Sequence, residues 1–247
     1  MPIDNKIPLY GFNNLTKSLS FSLYRVHYLA SRQSTDSYHA YINATYSSVK
    51  LTELLTDICH AIGGNVLNIA SQDYTPQGAS VTLMMSEEAK PESLVAHLDK
   101  SHLCIHTYPE ENPQNGIAIF RADIELSTCG VISPLKVLDY VIEAFSADVI
   151  DIDYRIRGMT RDQQGNKCFS DHEITKVSSY LDKKTLQDYD LEDNGLPNIN
   201  LYHCKLAKHS IDLNHHLFEA TEPDLSSFEK AKILEQLRLQ FDELFLA

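Results

Sequence analysis

The spacing of apolar residues changes repeatedly along this chain, and each change marks an element. In "SSVKLTELLTDICHAIGG", Leu51, Leu54, Leu55, Ile58 and Ile62 recur at helical spacing, and Gly63-Gly64 ends the run. "NVLNIASQ" and "ASVTLMMS" then read as strands joined by the turn "DYTPQG", with Pro76 and Gly78 as its breakers. "IAIFRADIEL" is a further strand. "SPLKVLDYVIEAF" predicts a helix with Ser133 as N-cap and Pro134 in the first turn. "DVIDIDYRIRG" alternates strictly: Ile150, Ile152, Tyr154 and Ile156 on one face, Asp151, Asp153 and Arg155 on the other. "RDQQGN" predicts a hairpin or sharp reversal, and "SDHEITKVSSYL" a helix opened by a Ser170/Glu173 capping box. "NINLYHCKL" reads as a strand, and "SSFEKAKILEQLRLQFDELFL" as a long amphipathic final helix. Strands with one apolar face, mixed with a few helices, predict an α+β fold: a layered sandwich of largely antiparallel sheet with helices packed on it. The polar interruptions near residues 86–93 and 192–199 are too short for linkers, so one domain spanning 1–247 is expected.

Composition narrows the function. The chain has 247 residues and is 43% hydrophobic, enough for a proper core. Its formal charge of −13 argues against a nucleic-acid binder. No run approaches the roughly 18 apolar residues of a membrane span, and "MPIDNKIPLYGFNN" does not read as a signal peptide. The five cysteines have no CxxC spacing, so reduced thiols in a cytoplasmic protein are expected.

The reactive residues concentrate in "VAHLDKSHLCIHTYPE". Here His97, Ser101, His102, Cys104 and His106 crowd a strand-like segment. A serine hydroxyl can attack its own preceding carbonyl and turn the amide into an ester. Elimination across Cα–Cβ then releases the upstream chain and leaves a pyruvoyl cap. That chemistry needs a tightly held peptide, a base and oxyanion donors. His106 is a candidate base, but five residues of straight strand span about 16 Å. Either the chain bends after Ser101 or another chain supplies the contact.

The segment "KSHLCIHTYPE" resembles the pyruvoyl-dependent S-adenosylmethionine decarboxylases in their prokaryotic form. "RADIELSTCGVISPLK" resembles the segment carrying that family's catalytic cysteine. "YGFNNLTKSLSF", "LTELL", "NIASQDYTPQGASVTL", "DYRIRGMTRD" and "DHEI" are similar to the longer bacterial subgroup, so the likeness spans most of residues 9–175. "SEEAKPESLVAH", ahead of the junction, is shorter than is usual there.

The resemblance implies self-cleavage between Lys100 and Ser101, giving a beta chain of residues 1–100 and an alpha chain of 101–247. It implies that Ser101 becomes the pyruvoyl group, that His106 assists processing and that Cys129 donates a proton during decarboxylation. Ser93 stands where shorter members place a processing serine, and Glu110 where the family has an acidic residue near substrate. It also implies S-adenosylmethionine as substrate, a role in spermidine synthesis, a homo-oligomer of the cleaved heterodimer, and stimulation by magnesium. Asp123, Glu125 and nearby aromatic rings could hold a sulfonium cation.

Blander readings stand beside these. Cys104 shares a face with His102 and His106 and suits packing; His215-His216 suits a surface or strand-end pair. The carboxylates of "DVIDIDY" could bind magnesium or form an ion-paired strand face. The same chemistry would also decarboxylate another amino acid, such as arginine, in a different pocket. A non-processed regulatory homologue would have lost the serine, the base or the proton donor, and all three are present.

Overall fold

A computed structural model describes residues 6–86, 101–110, 115–129 and 132–247. β1 (Leu9–Asn13) leads into β2 (Thr16–Tyr28), the centre of the molecule. In β2, Leu19, Phe21 and Leu23 are buried on one face while Ser18, Ser20 and Ser22 share the other. The chain continues through α1 (Arg32–Thr45), α2 (Ser48–Ala61), β3 (Asn65–Asp73) and β4 (Ala79–Ser86). β5 (His102–Pro109), β6 (Ile117–Cys129), α3 (Leu138–Phe145) and β7 (Val149–Arg157) follow. Then come β8 (Thr160–Asp162), β9 (Lys167–Cys168), α4 (Lys183–Asp188), β10 (Tyr189–Leu196), β11 (Leu201–Lys208) and α5 (Ser227–Leu246).

Among the described residues, eight strands form one sheet in the order β10-β11-β7-β2-β6-β5-β4-β3, paired antiparallel throughout. One face is covered: Leu51, Leu55 and Ile58 of α2 and Leu138, Val141 and Phe145 of α3 join the sheet's Leu19, Leu83, Leu103 and Phe120 in the main core. Each such side chain contributes roughly 1.5–3 kcal/mol by leaving water. On the second face, Ile233, Leu237 and Phe241 of α5 pack on Val26, Val149 and Ala207 in a smaller core. The expected α+β layered sandwich is the observed architecture.

A three-stranded sheet, β1-β8-β9, flanks the large one, and β8 and β9 are the hairpin expected at "RDQQGN". Gly158, at φ +89°, turns the chain out of β7; a Cβ there would lie 2.3 Å from the Asn14 carbonyl oxygen, so only glycine fits.

Three local expectations change. The helix expected from Ser133 opens as a 3-10 turn over Pro134–Val137 before α3, and the Ser133 side chain makes no capping bond. The Ser170/Glu173 capping box opens no helix: only a turn at Val177–Tyr180 follows. Ser170 Oγ instead donates to the His172 carbonyl, because Asp171 and His172 turn inward. His215 is exposed, but His216 is buried, its Nδ1 2.7 Å from the Val26 carbonyl oxygen.

His27 is also buried, ringed by Tyr38, Tyr41 and Phe218, and neither ring nitrogen has a hydrogen-bond partner among the described residues. Burial lowers its pKa well below the usual value, and Arg25 and His216 push the same way. Burial also lowers His216, against the opposing pull of Asp148 and the Val26 carbonyl. Both rings are therefore neutral when folded and bind protons more readily when unfolded. Stability should be full above about pH 6.5 and fall below it, by up to about 1.4 kcal/mol per pH unit for each ring. The melting temperature should drop between pH 7.5 and 5.5, and His27→Phe, which suits the aromatic surround, should weaken that dependence. An identical pH dependence in the variant would remove His27 as its source.

Candidate active site

β5 begins one residue after Ser101 and runs without a break to Pro109. Leu103, Ile105 and Thr107 point into the covered face and are buried, whereas His102, Cys104, His106 and Tyr108 belong to the second face. Ser101 keeps the inward parity and is 1% exposed. Two backbone amides hold it. The Met85 N–H of β4 donates to the Ser101 carbonyl oxygen at 3.2 Å. The Cys129 N–H of β6 donates to Ser101 Oγ at 3.1 Å. The hydroxyl and the carbonyl that flank the Ser101 Cα are thus both fixed by neighbouring strands.

Cys129 is the last residue of β6 and is half-buried. Its backbone meets Ser101, while its place in the alternation is that of Asp123, Glu125 and Ser127 on the second face.

His106 lies opposite Asp123 in the β5–β6 register, on the second face and half-buried. No bend follows Ser101, so the two residues stand about 16 Å apart along the strand and on opposite faces. Within one chain the fold does not bring His106 to Ser101. Around His106, Asp123 pairs with Arg121 at 3.2 Å and accepts from Ser22 Oγ at 2.9 Å. The Arg121 guanidinium sits 4.4 Å from the centre of the Tyr108 ring. Glu125 accepts from Ser20 Oγ at 2.9 Å and lies opposite Cys104, whose thiol pKa is raised by burial and by that carboxylate. Cys104 is therefore on the half-exposed second face and not in core packing.

Glu110 is remote from Ser101, nine strand residues on, or roughly 30 Å. Its Oε2 accepts from the Ile119 amide at 3.0 Å, and it lines a cavity of about 340 Å³ with Asn115, Gln236 and Gln240. Ser93, His97 and Lys100 lie outside the described residues.

For a metal, the described residues offer Asp151, Asp153 and His203 on the second face. Magnesium favours a shell of oxygens and water. Here His203 Nδ1 lies 3.3 Å from Asp151 and 3.0 Å from Asp153, and Lys205 Nζ is 3.8 Å from Asp151. The imidazole nitrogen and the neighbouring ammonium do not suit magnesium's preference for an all-oxygen shell. Asp148 is elsewhere, buried and accepting from the Val26 amide at 2.9 Å.

One group near Ser101 escaped the sequence reading. Lys17 has the inward parity of β2 and pairs directly with Thr128 of β6. Its Nζ is 2.6 Å from Asp171 Oδ2, and both side chains are fully buried. The other Asp171 oxygen is 2.6 Å from His172 Nδ1. Burial alone would raise the Asp171 pKa, but the His172 hydrogen bond and the Lys17 ammonium bring it to about 2. The available signal was Lys17 itself, a charge at an apolar position of the alternation "TKSLSFSL".

The site therefore has a buried serine clasped by two strand amides, with a cysteine at the end of the adjoining strand. The family model for S-adenosylmethionine decarboxylase matches residues 33–158. The chain belongs to that family, a family of enzymes. It is 48% identical to the S-adenosylmethionine decarboxylase proenzyme of Photorhabdus laumondii, over 98% of this chain and 97% of that one. It is 46% identical to the proenzyme of the same name from Salmonella arizonae, over 97% of this chain and 96% of that one. The likeness thus extends past residue 175 into the C-terminal part of the chain. A solved adenosylmethionine decarboxylase from Aquifex aeolicus aligns with 62% of this chain and 98% of its own at 20% identity, with a TM-score of 0.40.

Proposed function

We propose that this chain is a self-processing proenzyme that cuts itself between Lys100 and Ser101. The mature enzyme converts S-adenosylmethionine to its decarboxylated form and carbon dioxide, for spermidine synthesis. The supporting observation is the double hold on Ser101, from the Cys129 amide to Oγ and from the Met85 amide to the carbonyl oxygen.

In this reading Ser101 Oγ attacks the Lys100 carbonyl carbon, the peptide C–N bond breaks, and an ester forms. A base removes the Ser101 Cα proton, and the Cβ–Oγ bond breaks, so the oxygen leaves on the Lys100 carboxylate. Tautomerisation and addition of one water release ammonia and leave a pyruvoyl cap on residues 101–247. The Met85 N–H helps the Cα proton leave by drawing electron density onto the Ser101 carbonyl oxygen. A pyruvoyl group supplies an electron sink for decarboxylation. Cys129 would deliver a proton to the former α-carbon of the substrate.

His106 enters from a second copy of the chain. The straight run of β5 leaves it on the polar second face, open to a partner at that end of the sheet. A homo-oligomer of the cleaved heterodimer follows from this assignment. Asp123 and Glu125 on the same face are placed to attract a cationic substrate. Glu110 and Ser93 remain family-based assignments, and a cytoplasmic location is part of the same reading, in keeping with five unpaired cysteines. Magnesium stimulation rests on the family resemblance alone, with no site assigned to it.

The purified chain should give fragments of residues 1–100 and 101–247 by intact mass, the second without a free amine. Ser101→Ala should stay whole and inactive; a whole wild-type chain that releases carbon dioxide from S-adenosylmethionine would sink the mechanism. His106→Ala chains should remain uncut alone but be cut when co-expressed with Ser101→Ala chains, which carry an intact His106. Absence of rescue in assembled mixtures would put His106 outside a two-chain site. Cys129→Ala should slow turnover at least about tenfold, or about 1.4 kcal/mol of transition-state free energy, and should convert more of its caps to alanine by protonating the wrong carbon. The mass of the 101–247 fragment during turnover reports this, and a wild-type rate with an unchanged cap would remove Cys129 from the mechanism.

A further inference from the structure

The covered face of the sheet holds a charged group where apolar side chains would serve for stability. Strand register places it. His102 pairs with Ser127, so continuing the β5–β6 register by one residue sets Ser101 beside Thr128. Thr128 pairs with Lys17, and Lys17 with Ile156. Lys17 thus stands two strands from Ser101, about 10 Å between backbones, on the side of the sheet that Ser101 faces. Its partners come from distant sequence: Asp171 at 2.6 Å, with His172 Nδ1 2.6 Å from the second carboxylate oxygen. The Ile7 amide also donates to the Asp171 carbonyl at 2.8 Å. Three chain segments therefore meet behind the strand end that carries Cys129. Thr128 Oγ1 donates to the Ile132 carbonyl at 3.4 Å.

A buried ion pair seldom stabilises more than a well-packed apolar pair would. What it adds is direction: two short bonds fix one carboxylate, which fixes the ammonium and its strand. We infer that the Lys17–Asp171–His172 group is a positioning device for self-cleavage, holding the end of β6 so that the Cys129 amide keeps its hold on Ser101 Oγ. Small misplacement of reacting atoms is costly, near a hundredfold for 1 Å, so cleavage rate is the sensitive readout.

The inference rests on the proposed self-cleavage, and the wild-type chain separates the two: if it is never cut, that reading fails first. The test follows the loss of full-length chain with time in Lys17→Met/Asp171→Leu, which removes both charges together, and in His172→Asn and His172→Leu. Melting curves are recorded alongside. The double variant should melt within a few degrees of wild type yet cleave at least about tenfold more slowly. His172→Asn, which keeps a donor toward Asp171, should cleave within about threefold of wild type, and His172→Leu at least tenfold more slowly while folded. A folded double variant, or a folded His172→Leu, that cleaves at the wild-type rate overturns the inference. If the double variant does not fold, the His172 pair decides alone: equal cleavage in the two variants overturns it.

Discussion

Residues an odd number of positions apart on a strand face opposite ways. That parity governs β5. It sends Ser101 inward, onto the helix-covered face, where the amides of Met85 and Cys129 grip it. It sends His106 outward, five residues on, to a face half-exposed to solvent. One sheet thus presents Ser101 on one side and the imidazoles of His102 and His106 on the other. The serine is restrained by strands of its own chain.

Much of this was legible in the sequence. The strict alternation of β7 and the helical spacing of α2 reappear as read, since each depends on local period alone. β2 obeys the same rule, with Leu19, Phe21 and Leu23 alternating with serines, but Lys17 and the serines give its segment a polar cast. The Ser170/Glu173 capping box shows the reverse. A local helix signal lost to a long-range demand, because Asp171 and His172 are drawn inward by Lys17, 154 residues away in the case of Asp171. No window of sequence contains both ends of that interaction.

The site was legible in identity more than in geometry. Ser101, His106 and Cys129 stand out as residue types in motif, but motif spacing gives neither face nor register. Only pairing shows that Cys129 approaches Ser101 through its amide, and that Glu110 belongs to a cavity beside α5. The carboxylates of "DVIDIDY" divide likewise: Asp148 is buried beneath Val26, while Asp151 and Asp153 share His203 on the second face.

The strand order also bears on how a cut molecule could come apart. β2, β3 and β4 precede the 100/101 junction; the other five strands of the large sheet follow it. β2 is not at an edge. It lies between β6 and β7, bonded along its whole length to the first and from Thr16 to Tyr24 to the second. Cutting the chain therefore yields two pieces that are threaded through each other. Neither could leave without dismantling the centre of the sheet, so a pair cut at this bond would persist as one particle. Pieces made separately would have to find this interleaved order again, whereas a chain that folds first and is cut afterwards inherits it.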